Sequence, residues 1–374
     1  MNLLIVGGDG LIGQAVAKKH LLEGDNVYIY DTHVNKFNDY TNLVGTNITD
    51  VVESDGLEDV LYNFNFDIIS NHAAYVSVGD SQLNVGKYCK NNVGNYGYFL
   101  DAIRSSGRKP KKIIHASSMS FYGEGNRFCF TCGRNFFYDN FRTQLEIKCS
   151  NCHSDTSALP NDENTPHFPV SIYGVTKQAQ ENALKVFSFI HDIQCTALRY
   201  FSVYSTDQTP LNPFTGVLSV IANKIINEKE ISLMEDGFQS RDLIHVDDVA
   251  RAHFLASRNI SNTNFEIFNV GTGNLTSINK IASHMRDVLC PNKPIVYNYK
   301  MRPGDIKDSY ACLEKSFSKL NFRYQNQLFD QIDIYCQYIK DNWNKFVVSD
   351  LNTLDVTKDE FRLGIDSTIL KEGM

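Results

Sequence analysis

Short runs of apolar residues alternate along this chain with segments whose apolar residues recur at helical spacing. Helices are predicted at about 92–106 and 216–227, among other places. Strands are predicted at six places, with a weaker strand just before position 47: Leu3–Val6, Val27–Tyr30, Asp67–Ser70, Lys112–Ala116, Cys195–Phe201 and Phe265–Val270. This alternation predicts an α/β fold built on a parallel, doubly wound sheet.

The first strand runs directly into a glycine turn with the spacing G-x-x-G-x-x-G, and a helix follows. Glycines let the backbone approach a pyrophosphate, and the helix N-terminus faces its negative charge. We therefore expect a dinucleotide to contact the turn, although a plain β–α turn is the alternative. The expected contact residues are Gly7, Gly10, Leu11, Ile12 and Gly13.

An acidic residue ends the second predicted strand. Asp31 follows Gly13 by 18 positions, which is close to where a carboxylate reaches the ribose hydroxyls of a dinucleotide. Because a carboxylate there repels a 2′-phosphate, NAD is favoured over NADP. The alternative is an ordinary loop aspartate. Asn47 and Ile48, after the weak third strand, are expected at the edge of the adenine.

Small residues follow the strand at 67–70. His72, Ala73 and Ala74 come just after its carboxyl end, where a cofactor would lie close to the backbone. We interpret His72 as a packed structural histidine in preference to a catalyst.

Composition limits the function classes. The 374 residues carry a net charge of −7, which argues against a broad nucleic-acid-binding surface. No apolar run reaches the roughly 18–20 residues that a membrane helix needs. The run at 3–6 lacks a basic region before it, so it predicts a buried strand and not a signal peptide. We expect a cytoplasmic, reducing location without membrane or nucleic-acid partners.

Four of the nine cysteines form two Cys-x-x-Cys pairs, Cys129/Cys132 and Cys149/Cys152, with 16 residues between them. In a reducing compartment this spacing predicts a tetrahedral zinc site with four thiolate ligands. Such a closed site is structural. Two alternatives remain: redox-active disulfides, and haem attachment through Cys149, Cys152 and His153.

Taken with later motifs, these stretches resemble the extended short-chain dehydrogenase/reductase family, specifically its nucleotide-sugar epimerases and dehydratases. The resemblance covers about residues 1–325. Besides the glycine turn and Asp31, the matching residues are His72-Ala73-Ala74, Asn92-Val93, Ser117-Ser118, Tyr122-Gly123, Tyr173, Lys177, Leu198–Phe201, Gln239–Asp242, His245–Asp248 and Arg302–Asp305.

The resemblance implies a Rossmann sheet with bound NAD, a smaller α/β C-terminal substrate lobe and a zinc-knuckle insertion. It implies 1–200 as the NAD-binding part, with the insertion at 125–160. The substrate lobe would be 201–244 and 274–340, while 245–273 returns to the sheet. Residues 341–374 match no family motif, and we expect a C-terminal tail there, either a surface arm or a partly disordered segment. The resemblance also implies Asn92 at the cofactor, and a homodimer through helices at about 92–106 and 173–190.

The implied chemistry is oxidation of a sugar carbon by hydride transfer to NAD. Tyr173 and Lys177 lie four positions apart and share a helix face. The ammonium, together with the nicotinamide charge, is expected to lower the tyrosine pKa, so that Tyr173 takes the proton of a sugar hydroxyl. Ser118 would hydrogen-bond the same oxygen. Tyr173 and Lys177 would also bind the cofactor.

The residues after Ser118 favour an epimerase. Family dehydratases carry an Asp-Glu pair there, whereas this chain has Met119 and Ser120, which cannot act as acid or base. We expect epimerisation at C4 through a 4-keto intermediate. A dehydratase, a decarboxylase, a reductase and a non-catalytic NAD-binding regulator are the alternatives.

The substrate motifs imply a UDP-, dTDP- or GDP-linked sugar, held by Arg241, Arg302, Asp305, Ser118 and Ser202. Ser202 stands where the family usually has Asn, and Asn47 where it has Asp. The cysteine insertion is similar to one in 4-epimerases of the dTDP-L-rhamnose type, which implies a 6-deoxyhexose nucleotide. Since the insertion separates Ser118 from Tyr173, we expect it near the substrate entrance.

Overall fold

The computed structural model describes residues 1–31, 48–52, 56–211, 216–259 and 263–347, with the backbone alone at 48–52. Asn47 therefore lies outside the described residues, as do positions 348–374 of the expected tail. No helix in the described ranges is long and apolar enough to cross a membrane.

The strands of the described residues alternate with helices through the first half of the chain. In chain order the strands are β1 (Asn2–Val6), β2 (Asn26–Tyr30), β3 (Ile48–Val52), β4 (Ile68–Asn71), β5 (Lys112–Ser118), β6 (Asn126–Cys129), β7 (Arg134–Phe137), β8 (Ser157–Ala158), β9 (Gln194–Tyr200), β10 (Ser202–Tyr204), β11 (Ile231–Leu233), β12 (Ser240–Arg241), β13 (Leu243–His245), β14 (Phe265–Val270), β15 (Thr276–Ser277), β16 (Ile295–Tyr297) and β17 (Asp308–Ser309).

The helices cover the sheet and build the second lobe. They are α1 (Leu11–Leu22), α2 (Leu57–Asn63), α3 (Val78–Leu83), α4 (Val85–Tyr88), α5 (Asn95–Ser105), α6 (Ile172–His191), α7 (Val217–Asn227), α8 (Val246–Arg258), α9 (Ile278–Leu289), α10 (Glu314–Leu320), α11 (Leu328–Asp341) and α12 (Trp343–Phe346). A π-helical turn, Cys89–Gly94, joins α4 to α5, and a short 3₁₀ turn, Met119–Phe121, follows β5.

Seven parallel strands form the main sheet in the order β14-β9-β5-β4-β1-β2-β3. The strand order reverses between β1 and β4, which is where open α/β sheets of this kind bind ligands. The predicted parallel, doubly wound sheet is therefore confirmed. The strand at 265–270 returns to this sheet beside β9, as the sequence predicted.

Two apolar clusters cover the two faces of the sheet. One includes Leu3, Ile5 and Val249 and joins the sheet to α1 and α8. The other includes Leu4, Phe99 and Leu184 and joins it to α5 and α6. Alternate residues of β1 thus enter opposite clusters, because successive strand side chains point to opposite faces. Burial on both faces explains why β1 reads as a continuous apolar run.

A third apolar cluster lies outside the sheet and includes Leu218, Ile281 and Tyr335 from α7, α9 and α11. Trp343 packs against this cluster and Phe346 is buried. The expected tail boundary at 341 thus falls at the end of α11, and the first residues beyond it dock on the lobe. The expectation of a surface arm is wrong for 342–347, because these two aromatic side chains bury apolar area there.

Ile48 begins β3, where it pairs with Val27 at the start of β2. The expectation that Ile48 follows the third strand is therefore wrong, while its place at the edge of the adenine stays a prediction. Cofactors bind outside the carboxyl ends of parallel strands, and Ile48 lies at the amino end of its strand.

Candidate active site

The glycine turn after β1 packs tightly on the residues after β4. Gly7 has φ +78°, and a Cβ placed there would lie 2.4 Å from the backbone nitrogen of Ala73. A Cβ on Gly13 would lie 2.5 Å from the carbonyl oxygen of Gly7. Both positions require glycine. The turn and the His72-Ala73-Ala74 segment consequently form one continuous surface at the switch point of the sheet.

The start of α1 fits a pyrophosphate. Gly10 is its N-cap and provides no capping side chain, while Leu11 and Ile12 form the first helical positions. Among the described residues, the nearest atom to a Cβ on Gly10 would be 3.5 Å away, so they leave this side of the turn open. An open helix N-terminus with glycine backbone matches an anion site.

Asp31 follows β2 and lies at the same turn. Its Oδ2 accepts a hydrogen bond of 2.9 Å from the backbone N–H of Asp9, inside the glycine loop. The carboxylate is thereby fixed beside the expected ribose position. The carboxyl-terminal position on β2 agrees with the reasoning from the sequence.

His72 belongs to a chain of buried polar side chains behind the cofactor surface. The Ser70 hydroxyl lies 2.9 Å from His72 Nε2 and 2.8 Å from His253 Nε2. His253 Nδ1 lies 3.1 Å from His20 Nε2, and His20 Nδ1 lies 2.7 Å from Asp25. These partners agree with the interpretation of His72 as a structural histidine.

Asn92 connects the loop after β4 with α6. Its side-chain oxygen accepts from the backbone N–H of Tyr75 at 2.8 Å. Its amide donates to the carbonyl of Tyr75 and to the hydroxyl of Thr176, each at 3.1 Å. The side chain is fully buried, so it holds the cofactor-side loop against the helix that carries Tyr173.

The expected catalytic residues come together between β5 and α6. Ser118 is the last residue of β5, and its hydroxyl accepts from the backbone N–H of Ser120 at 3.1 Å. Tyr173 and Lys177 lie in the first two turns of α6, which Ser171 caps by accepting from Gly174 N–H. Lys177 donates to the carbonyl of Ala116 on β5 at 2.8 Å.

Burial shifts the pKa values of the tyrosine and the lysine at this site. Burial raises the pKa of Tyr173 to about 12, against the opposing effect of a hydrogen bond with Ser118. Burial also lowers the pKa of Lys177 to about 7. The lowering of the tyrosine pKa by the Lys177 ammonium together with the nicotinamide charge concerns the protein with NAD bound, and it stays a prediction. Desolvation dominates both groups, and the Lys177 ammonium is directed at a strand carbonyl.

A buried ion pair supports the site from behind. Arg199 on β9 donates to Glu181 on α6 at 2.6 and 3.1 Å, and to the Tyr122 hydroxyl at 2.6 Å. The hydroxyl of Ser117, next to Ser118, donates to Glu181 at 2.6 Å. Reasoning from the sequence gave Glu181 no role. An arginine inside the otherwise apolar strand at 195–201 was the available signal, because a buried charge needs a partner.

Two arginines of the second lobe meet at one carboxylate. Arg241 donates to Asp305 Oδ1 at 2.7 Å, and Arg302 donates to Asp305 Oδ2 at 3.2 Å. Although burial acts to raise it, the charges of Arg302, Arg241 and Arg142 hold the pKa of Asp305 below its usual value. The structure therefore brings together the two arginines expected at the diphosphate and the aspartate expected at the nucleotide ribose.

The loop 302–305 also reaches the helix that carries Tyr173. A Cβ on Gly304 (φ +80°) would lie 2.2 Å from Gln82 Nε2 and 3.2 Å from Ser171 Cβ. The arginine pair is thus next to the N-cap of α6. Ser202, the first residue of β10, donates its backbone N–H to Asp242, the residue after Arg241.

The four cysteines of the insertion form one cluster. Their sulfur atoms all lie within 4.8 Å of one another, with Cys129–Cys152 at 3.4 Å and Cys132–Cys149 at 3.9 Å. Zinc–sulfur bonds of about 2.3 Å in a tetrahedron place sulfurs about 3.8 Å apart. Hydrogen bonds from Ser154 lower the pKa of Cys152, which favours the thiolate. The donor set fits a four-thiolate zinc site, and all nine cysteines are free thiols.

A glycine turn at the switch point of a parallel sheet, with Ser118 at the end of β5 and Tyr173 and Lys177 on α6, is the arrangement of a dinucleotide-dependent enzyme of the short-chain dehydrogenase/reductase type. The chain belongs to the NAD dependent epimerase/dehydratase family, whose model matches residues 3–271. It is 28% identical to a dTDP-L-rhamnose 4-epimerase of Burkholderia thailandensis over 87% of this chain and 91% of that protein. It is 27% identical to a putative UDP-glucose 4-epimerase of Methanocaldococcus jannaschii over 91% and 99%.

Solved structures are similar over most of the chain. A UDP-N-acetylglucosamine 4-epimerase from Methanobrevibacter ruminantium, in complex with UDP-N-acetylmuramic acid, is 26% identical with a TM-score of 0.72, covering 91% of this chain and 98% of that one. A UDP-glucose 4-epimerase from Thermotoga maritima, with UDP-glucose, is 25% identical with a TM-score of 0.71, covering 92% and 100%.

Proposed function

We propose that this protein is an NAD-dependent epimerase of a nucleotide-diphospho-sugar that acts at C4 of the sugar. The observation that carries the proposal is the position of Ser118 and Tyr173. Ser118 lies at the carboxyl end of β5, and Tyr173 lies in the first turn of α6. The glycine turn is on one side of this pair, and the loop of Arg302 and Asp305, which contacts the N-cap of α6, is on the other. A sugar bridging these two surfaces would present a ring hydroxyl to Tyr173.

In this proposal each residue has a separate task. Tyr173 takes the proton from the C4 hydroxyl during oxidation and returns it during reduction. Ser118 hydrogen-bonds the same oxygen. The glycine turn and Asp31 would hold NAD, which would supply a reversible hydride acceptor for C4. Burial lowers the pKa of Lys177 to about 7, and in its protonated form Lys177 would provide a positive charge near Tyr173.

The cofactor would be held by the glycine turn, Asp31, the segment 72–74 and Asn92. Glycine packing at 7 and 13 and the open N-terminus of α1 support this assignment. Asp31 favours NAD over NADP because its carboxylate repels a 2′-phosphate. We assign the cofactor to residues 1–200 and 245–273, and the nucleotide-sugar to the face shared with 201–244 and 274–340.

Arg241 and Arg302 would bind the diphosphate, since guanidinium groups pair two oxygens at once. Both already hold the Asp305 carboxylate, one on each oxygen. The names of similar proteins include dTDP- and UDP-linked sugars, so these two nucleotides are the first substrates to test. We place Ser202 at the same site.

We further propose that Cys129, Cys132, Cys149 and Cys152 bind one structural zinc ion. Such ligands need reducing conditions, which agrees with a cytoplasmic protein.

A homodimer through α5 and α6 is the proposed assembly. Large apolar side chains on these helices are exposed: Tyr98 by 74%, Phe189 by 80% and Ile190 by 66%. An apolar patch of this kind on neighbouring helices is typical of a protein–protein interface.

The decisive experiment incubates purified protein with a panel of UDP-, dTDP- and GDP-sugars and follows the products by NMR. We expect C4 epimers of one sugar, and no consumption of added NAD. Tyr173→Phe should lower kcat at least a hundredfold while bound NAD stays at the wild-type level. If no sugar epimerises, or if Tyr173→Phe leaves turnover intact, the proposed function is wrong. Release of water or CO₂ would identify a dehydratase or decarboxylase instead.

A further inference from the structure

The cysteine insertion carries charged side chains that are buried against the second lobe. Arg142 lies between β7 and Cys149, and only 3% of its side chain is exposed. Its two terminal nitrogens donate to the two carboxylate oxygens of Glu235, each at 2.6 Å. Its Nε lies 3.2 Å from a carboxylate oxygen of Glu124. Arg142 therefore connects the insertion to the lobe through a paired, desolvated contact.

Glu235 holds the chain just before the loop 302–305. It is fully buried and adopts a left-handed conformation, φ +53°. Its backbone N–H donates to the carbonyl of Lys300 at 3.2 Å, and its carbonyl accepts from Tyr299 N–H at 3.0 Å. The orientation of Glu235 thus determines where the chain enters the Arg302 loop.

The other end of that loop is held from the same side. Glu124 accepts two hydrogen bonds, 2.8 and 3.0 Å, from the backbone N–H of Lys307. The Lys307 ammonium pairs with Glu146 of the insertion at 2.9 Å and with Asp236 at 3.2 Å. The Lys307 carbonyl accepts from Arg241 at 3.0 Å. Both flanks of the loop therefore depend on contacts with 124–146.

We propose that Arg142 is a positioning residue of the nucleotide-sugar site, which fixes Glu235 and thereby the Arg302–Asp305 loop for diphosphate binding. The proposal rests on the proposed function. A planar guanidinium makes two parallel bonds to one carboxylate, so it fixes the direction of Glu235 as well as its distance. Lysine offers a point charge without this fork. Even a small displacement of the side chains that contact a substrate strongly reduces how well they hold it in position.

Three variants test the proposal. Arg142→Lys keeps the charge and removes the paired geometry. Arg142→Met combined with Glu235→Gln removes both charges of the pair, so Glu235 is not left as an unpaired buried charge, and Glu124 keeps its contacts with the backbone N–H of Lys307. Arg134→Ala, at an exposed position on β7 of the same insertion, is the matched control. For each protein we would measure kcat and KM by NMR, bound NAD, zinc content, and the affinity for UDP and dTDP by calorimetry.

We expect Arg142→Lys and the double variant to raise KM at least tenfold and to weaken UDP or dTDP binding by a similar factor. Their kcat, NAD content and zinc content should stay within twofold of wild type, and Arg134→Ala should match wild type throughout. A merely structural role would lower folded yield or kcat without this split. The proposal would be overturned if Arg142→Lys and the double variant both had the KM and the nucleotide affinity of wild type.

The wild-type measurements separate the two levels of inference. If wild type epimerises a sugar and binds UDP or dTDP, while the folded variants behave identically, only the role of Arg142 is wrong. If wild type turns over no nucleotide-sugar and binds neither nucleotide, the proposed function itself is wrong.

Discussion

Acid should destabilise this protein in a narrow pH range, because three imidazoles have no exposed surface. His20, His115 and His253 are all fully buried. Burial lowers the pKa of His20 to about 4 and holds those of His115 and His253 well below the ordinary value. At pH 5.5 these groups stay neutral in the folded protein, whereas they are protonated in the unfolded chain.

The sign follows from the depressed folded-state pKa. The contribution of the neutral imidazoles to the free energy of unfolding is fully present above the unfolded-state pKa of about 6.5, and it is lost as the pH falls below that value. From pH 7.5 to 5.5 each buried imidazole loses about 1.4 kcal/mol, so the three together lose about 4 kcal/mol. This is a large share of a typical unfolding free energy of about 5–15 kcal/mol.

Burial also lowers the pKa of His72 to about 3, so this imidazole adds to the loss in the same direction. Two buried groups of other types titrate near this range, and their effects nearly cancel. Burial lowers the pKa of Lys177 to about 7, so its neutral form is lost over the same interval, at a cost of about 0.8 kcal/mol. Burial raises the pKa of Glu124 to about 6, and its protonation on acidification returns about 0.8 kcal/mol. The imidazoles therefore dominate the expected loss.

His115→Leu isolates one imidazole. Both ring nitrogens of His115 lack a hydrogen-bond partner among the described residues, and the ring centre lies 4.8 Å from that of Tyr96. Leucine should therefore fit without breaking a bond. Urea unfolding at pH 7.5 and 5.5 should show a pH-dependent loss about 1.4 kcal/mol smaller than in wild type. Phe99→Leu, a change in the adjoining apolar cluster, should lower the free energy of unfolding by the same amount at both pH values. The same pH-dependent loss in His115→Leu and wild type would refute the reasoning.

Two other predictions concern the metal and the assembly. Cys149→Ser should reduce bound zinc from one ion per chain to near zero and make the insertion sensitive to limited proteolysis. The reason is that zinc bound by four thiolates would stabilise the insertion in place of an apolar core. Wild-type protein that contains no zinc by elemental analysis would contradict this prediction. Phe189→Asp should convert a dimer to a monomer in light scattering after size exclusion, since it places a charge in the proposed apolar interface. Phe317→Asp, an equally drastic change at a 43% exposed site on α10, should leave the mass unchanged.

Local patterns predicted the strands of the sheet well because a strand that is buried on both faces forms a continuous apolar run in the sequence. The strand at 112–116 extends to Ser118, and the strand at 265–270 lies where the apolar run placed it. Tyr173 and Lys177 share a helix because their spacing is a local property. Their pKa values could not be predicted in the same way. They depend on how much protein surrounds each group, and burial outweighs the proximity that the spacing implies.

The position of the third strand and the contacts of the insertion show a second limit. A β-strand needs a neighbour to define its bounds, so a weak apolar run around position 48 leaves its start undetermined. Charged residues in a loop are ordinarily solvated, and nothing in the run around Arg142 marks it as buried. Its partner Glu235 lies 93 positions away.

Long-range ion pairs change how the insertion itself should be understood. Two Cys-x-x-Cys pairs alone describe a small metal-bound module that could be attached anywhere. Glu124 reaches Lys307 across 183 positions, and Arg127 reaches Asp308 at 3.3 Å, so the module is joined to the strand that follows the arginine loop. Removing one partner of such a contact would leave a buried charge unpaired at a cost of several kcal/mol. The insertion is therefore part of the wall that holds the arginine loop.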